Sequence, residues 1–395
     1  MLTSYPHTFI ANGIVLTTCA PLLNYFGHGV EITAAILGII CLSFAGTWRT
    51  SPSVKSIFAD PHIRNSLWLV ACMLVCWTYS CITGINPLKT LESLGKVIGM
   101  LLGLTTFGYL ISNTSQAHHL RALQAVTLLT CALAGLVIIE RFAPALSGML
   151  HGITSYARLN FAGPILIWGL PFVMWMNLKD RRYSPVFLLV VMAIAASNGR
   201  TGWVVLPVVV AGFCIFFHKK LTPAQWVLIL AGLPLAFFAG LTLLGLSEGM
   251  THVEERALDL ATGQGTGRID IWKFAATYWW DSARWWGIGI QGFRYIDFSA
   301  VQLNSQYHPH NSIIQLLLET GLIGFTLAVT ALSSICYKAW LRLQNEPDIR
   351  AILTLCFLGL GGCSLFSTSL FHAWWVLFML MPLTWALGWP LQQHD

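Results

Sequence analysis

The chain has 395 residues, of which 56% are hydrophobic and only 10% charged, and its mean hydropathy is +0.67. Soluble domains carry roughly 25% charged residues, so this composition leaves too little polar surface for a water-soluble protein. The formal net charge of +6 is spread over short loops and forms no basic stripe, which excludes a nucleic-acid-binding surface of the usual kind. We therefore predict an integral membrane protein.

Apolar runs of about the length that crosses a bilayer, roughly 20 residues, occur about twelve times. Because backbone polar groups must be satisfied internally in lipid, each run is predicted to be a helix. The runs lie near 8–26, 30–48, 66–85, 94–112, 122–141, 160–178, 184–199, 201–217, 223–247, 311–337, 350–368 and 371–389. The first run lacks a basic lead-in, so it is predicted to be a retained helix rather than a cleaved signal.

The distribution of lysine and arginine predicts the orientation. With the N-terminus placed in the cytoplasm, twelve of these residues fall in inside loops and five in short outside loops or helix ends. Both termini are therefore predicted to be cytoplasmic. The chain then divides into nine transmembrane helices (1–247), a long outside loop (248–310) and three further helices (311–395). The loop is predicted to form two helices, near 250–262 and 267–283.

All ten cysteines lie in apolar runs. This placement predicts small packing residues rather than a disulfide framework. The sequence also contains no CxxC motif and no Cys/His spacing typical of a metal site.

Several arginines lie on the outside, where the topology rule disfavours cations in short loops. Arg200 lies in a tight turn between two spans, Arg268 lies in the long loop, and Arg158 precedes a span. The guanidinium group offers a fixed fork of donors that suits phosphate, so three such groups could bind a pyrophosphate. Headgroup contact is the alternative, and it is favoured more for Arg141, which follows Glu140.

A histidine precedes the tenth predicted span. His310 lies between Pro309 and Asn311, which are both typical helix-start residues. A helix N-terminus disfavours a cationic imidazole, so a neutral His310 could accept a proton from a substrate hydroxyl. A plain interfacial histidine is the alternative, and His308 is a second, weaker candidate.

The same span carries a polar stripe, since Asn311, Gln315 and Glu319 recur every four residues. Carboxylates inside a membrane usually face a partner or a cavity, so Glu319 is predicted to orient loop backbone or an arginine. It lies about 180° around the helix from His310, which argues against a direct acid–base pair.

The long loop also contains the glycine pattern G-x-G-x-x-G at Gly287, Gly289 and Gly292. No strand precedes it, so a dinucleotide site is disfavoured, and a turn packed under aromatic rings is predicted instead. Four nearby tryptophans favour a membrane-interface belt over a sugar-stacking surface: Trp279, Trp280, Trp285 and Trp286.

Four short features together resemble the bacterial O-antigen ligase family, within the wider group of O-antigen ligases, polymerases and oligosaccharyltransferases. In chain order they are the turn Ser197–Gly202, the pair Arg268-x-x-x-Trp272, the segment Gly287–Phe293, and His310-Asn311 followed by Glu319-x-Gly321. The resemblance is best from about residue 150 to 325. It implies an all-α polytopic membrane protein of about 12 transmembrane helices with one helical periplasmic loop domain, a GT-C-like arrangement.

The resemblance also implies a reaction and a site. In that family an O-antigen chain on undecaprenyl pyrophosphate is transferred to a sugar of lipid A–core at the periplasmic face of the inner membrane, without cofactor or metal. Membrane lipids are the other expected partners. The implied catalytic residues are His310, Arg200 and Arg268. The remaining implied residues bind substrate (Arg158, Arg141, His308, Asn311, Trp272) or support the site (Glu319, Gln315, Gly289, Gly292).

Three other functions stay open at this point. An O-antigen polymerase would use the same donor and another lipid-linked glycan as acceptor, and a protein O-oligosaccharyltransferase would use a protein acceptor. A transporter or flippase is disfavoured, because transport paths place polar residues within the spans, whereas here they gather at one face.

Overall fold

The computed structural model describes residues 5–26, 29–49, 61–112, 114–143, 159–197, 199–251, 253–255, 258, 268–298, 308–366 and 369–390. Its first seven α-helices are α1 (Tyr5–Leu23), α2 (Val30–Phe44), α3 (Pro61–Thr83), α4 (Pro87–Ile111), α5 (Gln116–Phe142), α6 (Leu159–Lys179) and α7 (Ser184–Ala196). The others are α8 (Arg200–Phe217), α9 (Pro223–Val227), α10 (Leu233–Glu248), α11 (Arg268–Tyr278), α12 (Ser312–Arg342), α13 (Pro347–Phe366) and α14 (Ala373–Leu387). A π-helical turn joins α9 to α10, and another follows α11.

Every regular element in the described ranges is helical, which confirms the predicted fold class. Each of the twelve predicted spans coincides with a helix, and within the described residues nine helices are long and apolar enough to cross a membrane. The remaining three, α2, α7 and α14, have only 13 to 15 residues, fewer than the roughly 20 that a span needs. The protein is thus a multi-pass membrane protein, and the count of twelve stays a prediction.

The bundle is built around one large apolar core. Helices α5, α6, α7, α8, α13 and α14 contribute fully buried apolar side chains, and the largest of these include Trp168, Phe172, Phe213, Trp375 and Trp385. The outer surface is apolar as well, and Phe44, Leu235 and Leu246 are each more than 70% exposed. Such a surface is unfavourable in water and is suited to lipid.

Small residues let some helices approach closely. A Cβ added to Gly38 of α2 would lie 2.1 Å from Thr17 Oγ1 of α1, and close contacts of this kind are typical of helix pairs in membranes. All ten cysteines are free, and four of them are buried: Cys19, Cys81, Cys356 and Cys363.

Of the two helices predicted in the long loop, the second is observed as α11 and its π-helical turn. The first, near 250–262, lies mostly outside the described residues. The glycine-containing segment after α11 packs against α12 and α3 through hydrogen bonds to Leu318, Glu319 and Ser80. The loop therefore rests directly on the bundle.

Candidate functional site

The tenth predicted span is not a continuous helix. Within α12, Gly321 has φ 67° and ψ 178°, a conformation essentially restricted to glycine. A helix end leaves backbone groups without intrahelical partners, and here the segment after α11 supplies them. Ile288 N and Gly289 N donate to the carbonyls of Leu318 (3.1 Å) and Glu319 (2.9 Å).

The second half of α12 begins immediately after the break, and its first N–H groups are satisfied by the same segment. Leu322 N donates to the Arg284 carbonyl at 2.8 Å, and Ile323 N donates to the Trp285 carbonyl at 3.3 Å. We call this junction of residues 284–292 with the break in α12 the seam. It joins two parts of the chain that hydropathy alone treats as separate.

Two glycines of the G-x-G-x-x-G pattern are required by the seam. Gly287 has φ +76°, and a Cβ there would lie 2.5 Å from the Glu319 carbonyl carbon; Gly289 has φ +93°, and its Cβ would lie 2.8 Å from Thr90 Cγ2. The expected packing under aromatic rings is therefore wrong for these two positions. These positions face helix backbone and a threonine side chain instead. Only a residue without a side chain lets the two parts of the chain approach each other so closely.

Glu319 connects the two sides of the seam. Its side chain is fully buried. One carboxylate oxygen accepts a hydrogen bond from Gln291 N at 2.7 Å, and the other accepts one from Gln315 Nε2 at 3.2 Å. The Glu319 carbonyl also accepts from Ser80 Oγ at 2.7 Å. This carboxylate therefore orients loop backbone, which is the role that the sequence favours.

Gln315 and Gln291 extend this network to the segment before α14. Gln315 Nε2 donates to Ser369 Oγ (2.8 Å), and its Oε1 accepts from Leu370 N (2.9 Å). Gln291 Nε2 donates to the Phe371 carbonyl (2.8 Å). Segment 369–372 is thereby held against the start of α12.

Two histidine rings lie together just before α12. Asn311 is the N-cap of this helix, and its side-chain oxygen accepts from Ile313 N and Ile314 N. The His308 and His310 rings lie 4.1 Å apart between centroids, and His310 has φ +55°. His310 N donates to His308 Nδ1 at 3.2 Å. The Nδ1 atom of His308 therefore carries no proton, and the His308 imidazole is held in one tautomer.

His308 is kept neutral by its surroundings. Burial lowers its pKa from the usual 6.5 to about 2, with smaller contributions from His310, His372, Arg294 and Arg268. A ring with so low a pKa does not take up a proton near neutrality. The His310 side chain is partly buried as well.

A third histidine that the sequence did not single out lies nearby. His372 precedes α14, and its ring centroid is 6.0 Å from that of His308. It shares with His310 a position at the start of a predicted span, which is the signal that could have identified it. Arg294 was also missed, and it acts electrostatically on His308.

Arg200 and Arg268 are close enough to interact. Arg200 is the first residue of α8 and Arg268 the first of α11. Arg268 Nη1 donates to the Phe366 carbonyl at 2.6 Å. Burial lowers the pKa of Arg268, and the charge of Arg200 lowers it further. Two mutually repelling cations at one face form an environment that favours a polyanion.

Arg141 is directed toward the polypeptide backbone. It is 8% exposed, and its Nε donates to the Ala196 carbonyl, at the end of α7, at 2.9 Å. It thus supports the turn that leads to Arg200. Trp272 Nε1 donates to the Pro309 carbonyl at 2.8 Å and so ties α11 to the two histidines. The substrate-binding roles of Arg141, Trp272 and Asn311 stay predictions.

Arg158 lies outside the described residues. Within the ranges that the structure describes, no group of three His, Cys, Asp or Glu side chains is arranged as metal ligands would be. The expected metal independence stays a prediction.

The helical fold, together with the arginines and histidines gathered at one face, places the chain among all-helical, multi-pass membrane proteins with a polar site at the end of the bundle. Residues 185–329, which run from α7 into α12, match the family described as O-antigen ligase. This segment contains the arginine pair, the seam and the first two histidines.

Two relatives extend the similarity beyond that segment. A provisionally named polysaccharide ligase of Rickettsia conorii is 21% identical over 365 residues, 85% of this chain and 84% of the relative. One of Rickettsia bellii is 22% identical over 325 residues, 75% of this chain and 74% of the relative. These findings confirm the resemblance to the O-antigen ligase family, and they support an enzyme of the O-antigen ligase or polymerase kind.

Proposed function

We propose that the protein transfers an O-antigen polysaccharide from undecaprenyl pyrophosphate to a sugar hydroxyl of lipid A–core. One observation carries the proposal: α11 begins at Arg268, which lies beside Arg200, and one turn later Trp272 of the same helix donates to the Pro309 carbonyl between the two histidines. The two cations and the imidazole cluster therefore lie within electrostatic range of each other at one face of the bundle. Glycosyl transfer from a pyrophosphate carrier requires fixed positive charge and a proton acceptor close together.

The arginine pair would stabilise the leaving group. As the bond from the anomeric carbon to the pyrophosphate oxygen breaks, the electron pair stays on that oxygen and the pyrophosphate gains charge. Fixed cations are most effective where such charge develops. Because Arg200 and Arg268 already repel one another, an anion between them would relieve an existing repulsion as well as bind.

His310 would act as the base. The acceptor hydroxyl oxygen forms a bond to the anomeric carbon and gives its proton to the imidazole, which inverts the anomeric centre in one step. His308 is unsuited to this role, because its Nδ1 is occupied by His310 N and its pKa is about 2. It would instead hold the backbone of His310, whose positive φ needs support from its surroundings.

Transfer by the purified full-length protein tests this assignment. General-base assistance is typically worth about 10²–10⁴-fold, so His310→Ala should lower turnover by a factor in that range. His308→Asn, which keeps a hydrogen-bond acceptor near the position of Nδ1, should lower it less. Near-normal turnover of His310→Ala would remove the base assignment, and loss of wild-type activity in EDTA would remove the metal-free mechanism.

The acceptor decides between ligase and polymerase. Product formed on lipid A–core supports the proposal, whereas elongation of carrier-linked glycan alone would show a polymerase.

We also propose that the site faces the periplasm, that the segment 248–310 is a periplasmic domain between the two sets of spans, and that both termini are cytoplasmic. The excess of lysine and arginine in the opposite loops supports this orientation. Alkaline phosphatase fused after Gln264 should be active, and fused after Lys220 it should be inactive. The reverse pair of results would overturn the orientation.

A further inference from the structure

An apolar groove runs along the side of the bundle that faces lipid. It encloses about 420 Å³ between α1, α2, α4 and α14. On α4 its lining includes Lys96, Gly99, Gly103 and Phe107, and on α14 it includes Leu377. The two glycines leave it open, because a Cβ at Gly99 would meet no atom within 4 Å and one at Gly103 would meet only Ile39 Cδ1, at 4.0 Å.

The length of the groove fits one class of hydrocarbon chain. From Lys96 to Phe107, α4 rises by roughly 16 Å at 1.5 Å per residue, which is about half of a hydrocarbon core of roughly 30 Å. The groove therefore matches an acyl chain that stays within one leaflet. A polyprenyl chain is much longer and would extend well beyond it.

The charge at one end fits a lipid phosphate. Lys96 Nζ lies 2.8 Å from Glu92 Oε1, and Lys89 Nζ lies 3.1 Å from Glu92 Oε2. Two lysines share one carboxylate, so this part of α4 keeps a net positive charge. The Lys96 side chain is 63% exposed, which leaves it accessible to a headgroup.

The groove begins beside the candidate site. Ser93, one helical turn before Lys96, donates through Oγ to Gln291 Oε1 at 3.3 Å. Gln291 in turn donates to the Phe371 carbonyl, next to His372. A lipid seated in the groove would thus carry its headgroup to the edge of the seam.

We propose that the groove binds an acyl chain of the acceptor glycolipid, with a phosphate of that lipid at Lys96; this inference rests on the proposed function. The polyprenyl chain of the donor is excluded from the groove for two reasons. It is too long, and it is attached directly to the pyrophosphate, so it must leave the site at Arg200 and Arg268. In the acceptor, by contrast, the core sugars separate the acyl chains from the reacting hydroxyl. Its lipid can therefore lie farther from the histidines.

Filling the groove tests the proposal. In purified full-length protein, Gly99→Leu should raise the KM for acylated lipid A–core about tenfold, the size expected when roughly two methylene groups lose their contacts. The donor KM and kcat should stay unchanged. Gly135→Leu is the matched control, because Gly135 in α5 also has no atom within 4 Å of an added Cβ and lies outside the groove lining.

Chemically altered acceptors sharpen the test. With a deacylated acceptor, Gly99→Leu and the wild type should have the same KM. Lys96→Gln should weaken binding of the phosphorylated acceptor and leave binding of a dephosphorylated one unchanged.

The proposal would be overturned if Gly99→Leu had the same acceptor KM as Gly135→Leu, or if its donor KM rose instead. It would also be overturned if the KM of Gly99→Leu for the deacylated acceptor rose equally, or if the oligomeric state changed in Gly99→Leu alone. The last would show that a second copy occupies the groove. Native mass spectrometry can measure the binding of acylated lipid A–core directly. This measurement distinguishes failure of the groove proposal from failure of the proposed function. Wild-type protein that binds the lipid better than Gly99→Leu supports the groove even if no transfer occurs, and equal binding by both rejects it.

Discussion

The seam and the apolar bundle are stabilised in different ways. In the bundle, large side chains such as Trp168 and Trp385 fill space between helices, and many apolar side chains of similar volume could do the same. In the seam, the contacts are directional hydrogen bonds between particular groups, as when Gly289 N donates to the Glu319 carbonyl. The comparison teaches that apolar substitutions of similar volume should act mildly in much of the bundle, whereas substitutions at the seam and its neighbours should act severely.

The difference follows from what each region must satisfy. Dispersion and apolar contacts are non-directional and add up over many atoms. A buried backbone group without a partner costs about 1–3 kcal/mol by itself, and the break in α12 exposes several such groups at once. The seam satisfies these groups with backbone from the segment after α11, which leaves little freedom in sequence or geometry.

The largest expected effect concerns two arginines with similar local contacts. Arg268 Nη1 donates to the Phe366 carbonyl, and Arg342 Nε donates to the Trp389 carbonyl. Both carbonyls lie near the end of a helix. Of the two arginines, only Arg268 lies beside Arg200. Arg268→Ala should lower transfer about 10²–10³-fold, as loss of a charge-stabilising donor does elsewhere. Arg342→Ala should lower thermal stability with little change in turnover.

Lysine replacements refine that comparison. Arg268→Lys and Arg200→Lys should each restore only part of the activity, because the planar fork is lost while the charge is kept. Equal turnover in Arg268→Ala and Arg342→Ala, measured at equal protein levels in the membrane, would show that the pair has no special role.

The second expected effect compares two glycines. Gly287→Ala should lower the free energy of unfolding by about 1–3 kcal/mol for its positive φ alone, and further because the added Cβ overlaps Glu319 backbone. Gly135→Ala has open space around it and should leave stability unchanged or slightly raised. Apparent Tm values of the purified variants measure this, and similar values would contradict a tightly packed seam.

The smallest expected effect is on the pH dependence of stability. The folded protein keeps the pKa of His308 near 2, whereas the usual value is 6.5. As pH falls through 6.5, His308 therefore binds a proton in the unfolded chain but not in the folded chain. The stability that neutral His308 contributes is complete above pH 6.5 and decreases as pH is lowered toward 2.

His308→Asn should remove this contribution, since asparagine does not titrate. Between about pH 7.5 and pH 5.5, the apparent Tm of the wild type should then fall more steeply than that of the variant. Parallel curves would show that His308 is solvated and titrates normally.

Much of the site could be predicted from short motifs, because arginines outside a membrane and a histidine at a span start are unusual enough to be noticed. His372 also stands at the start of a predicted span and was missed, whereas Ser80 and Gln291 could not be predicted in this way. Ser80 binds the carbonyl of Glu319, 239 residues away, and nothing in the apolar run around Ser80 indicates that partner. The break at Gly321 was missed because hydropathy averages over a whole span and does not register one residue's φ.

By itself, the sequence determined that the chain is a helical membrane protein whose polar residues gather at one end, because apolar run length and charge placement are local properties that the bilayer selects directly. Only the tertiary structure decided that the long loop completes a broken helix, that the His308 and His310 rings lie together with His308 kept neutral, and that an open groove reaches the edge of the seam. These features depend on backbone geometry and on contacts between residues far apart in sequence, and no local pattern encodes them.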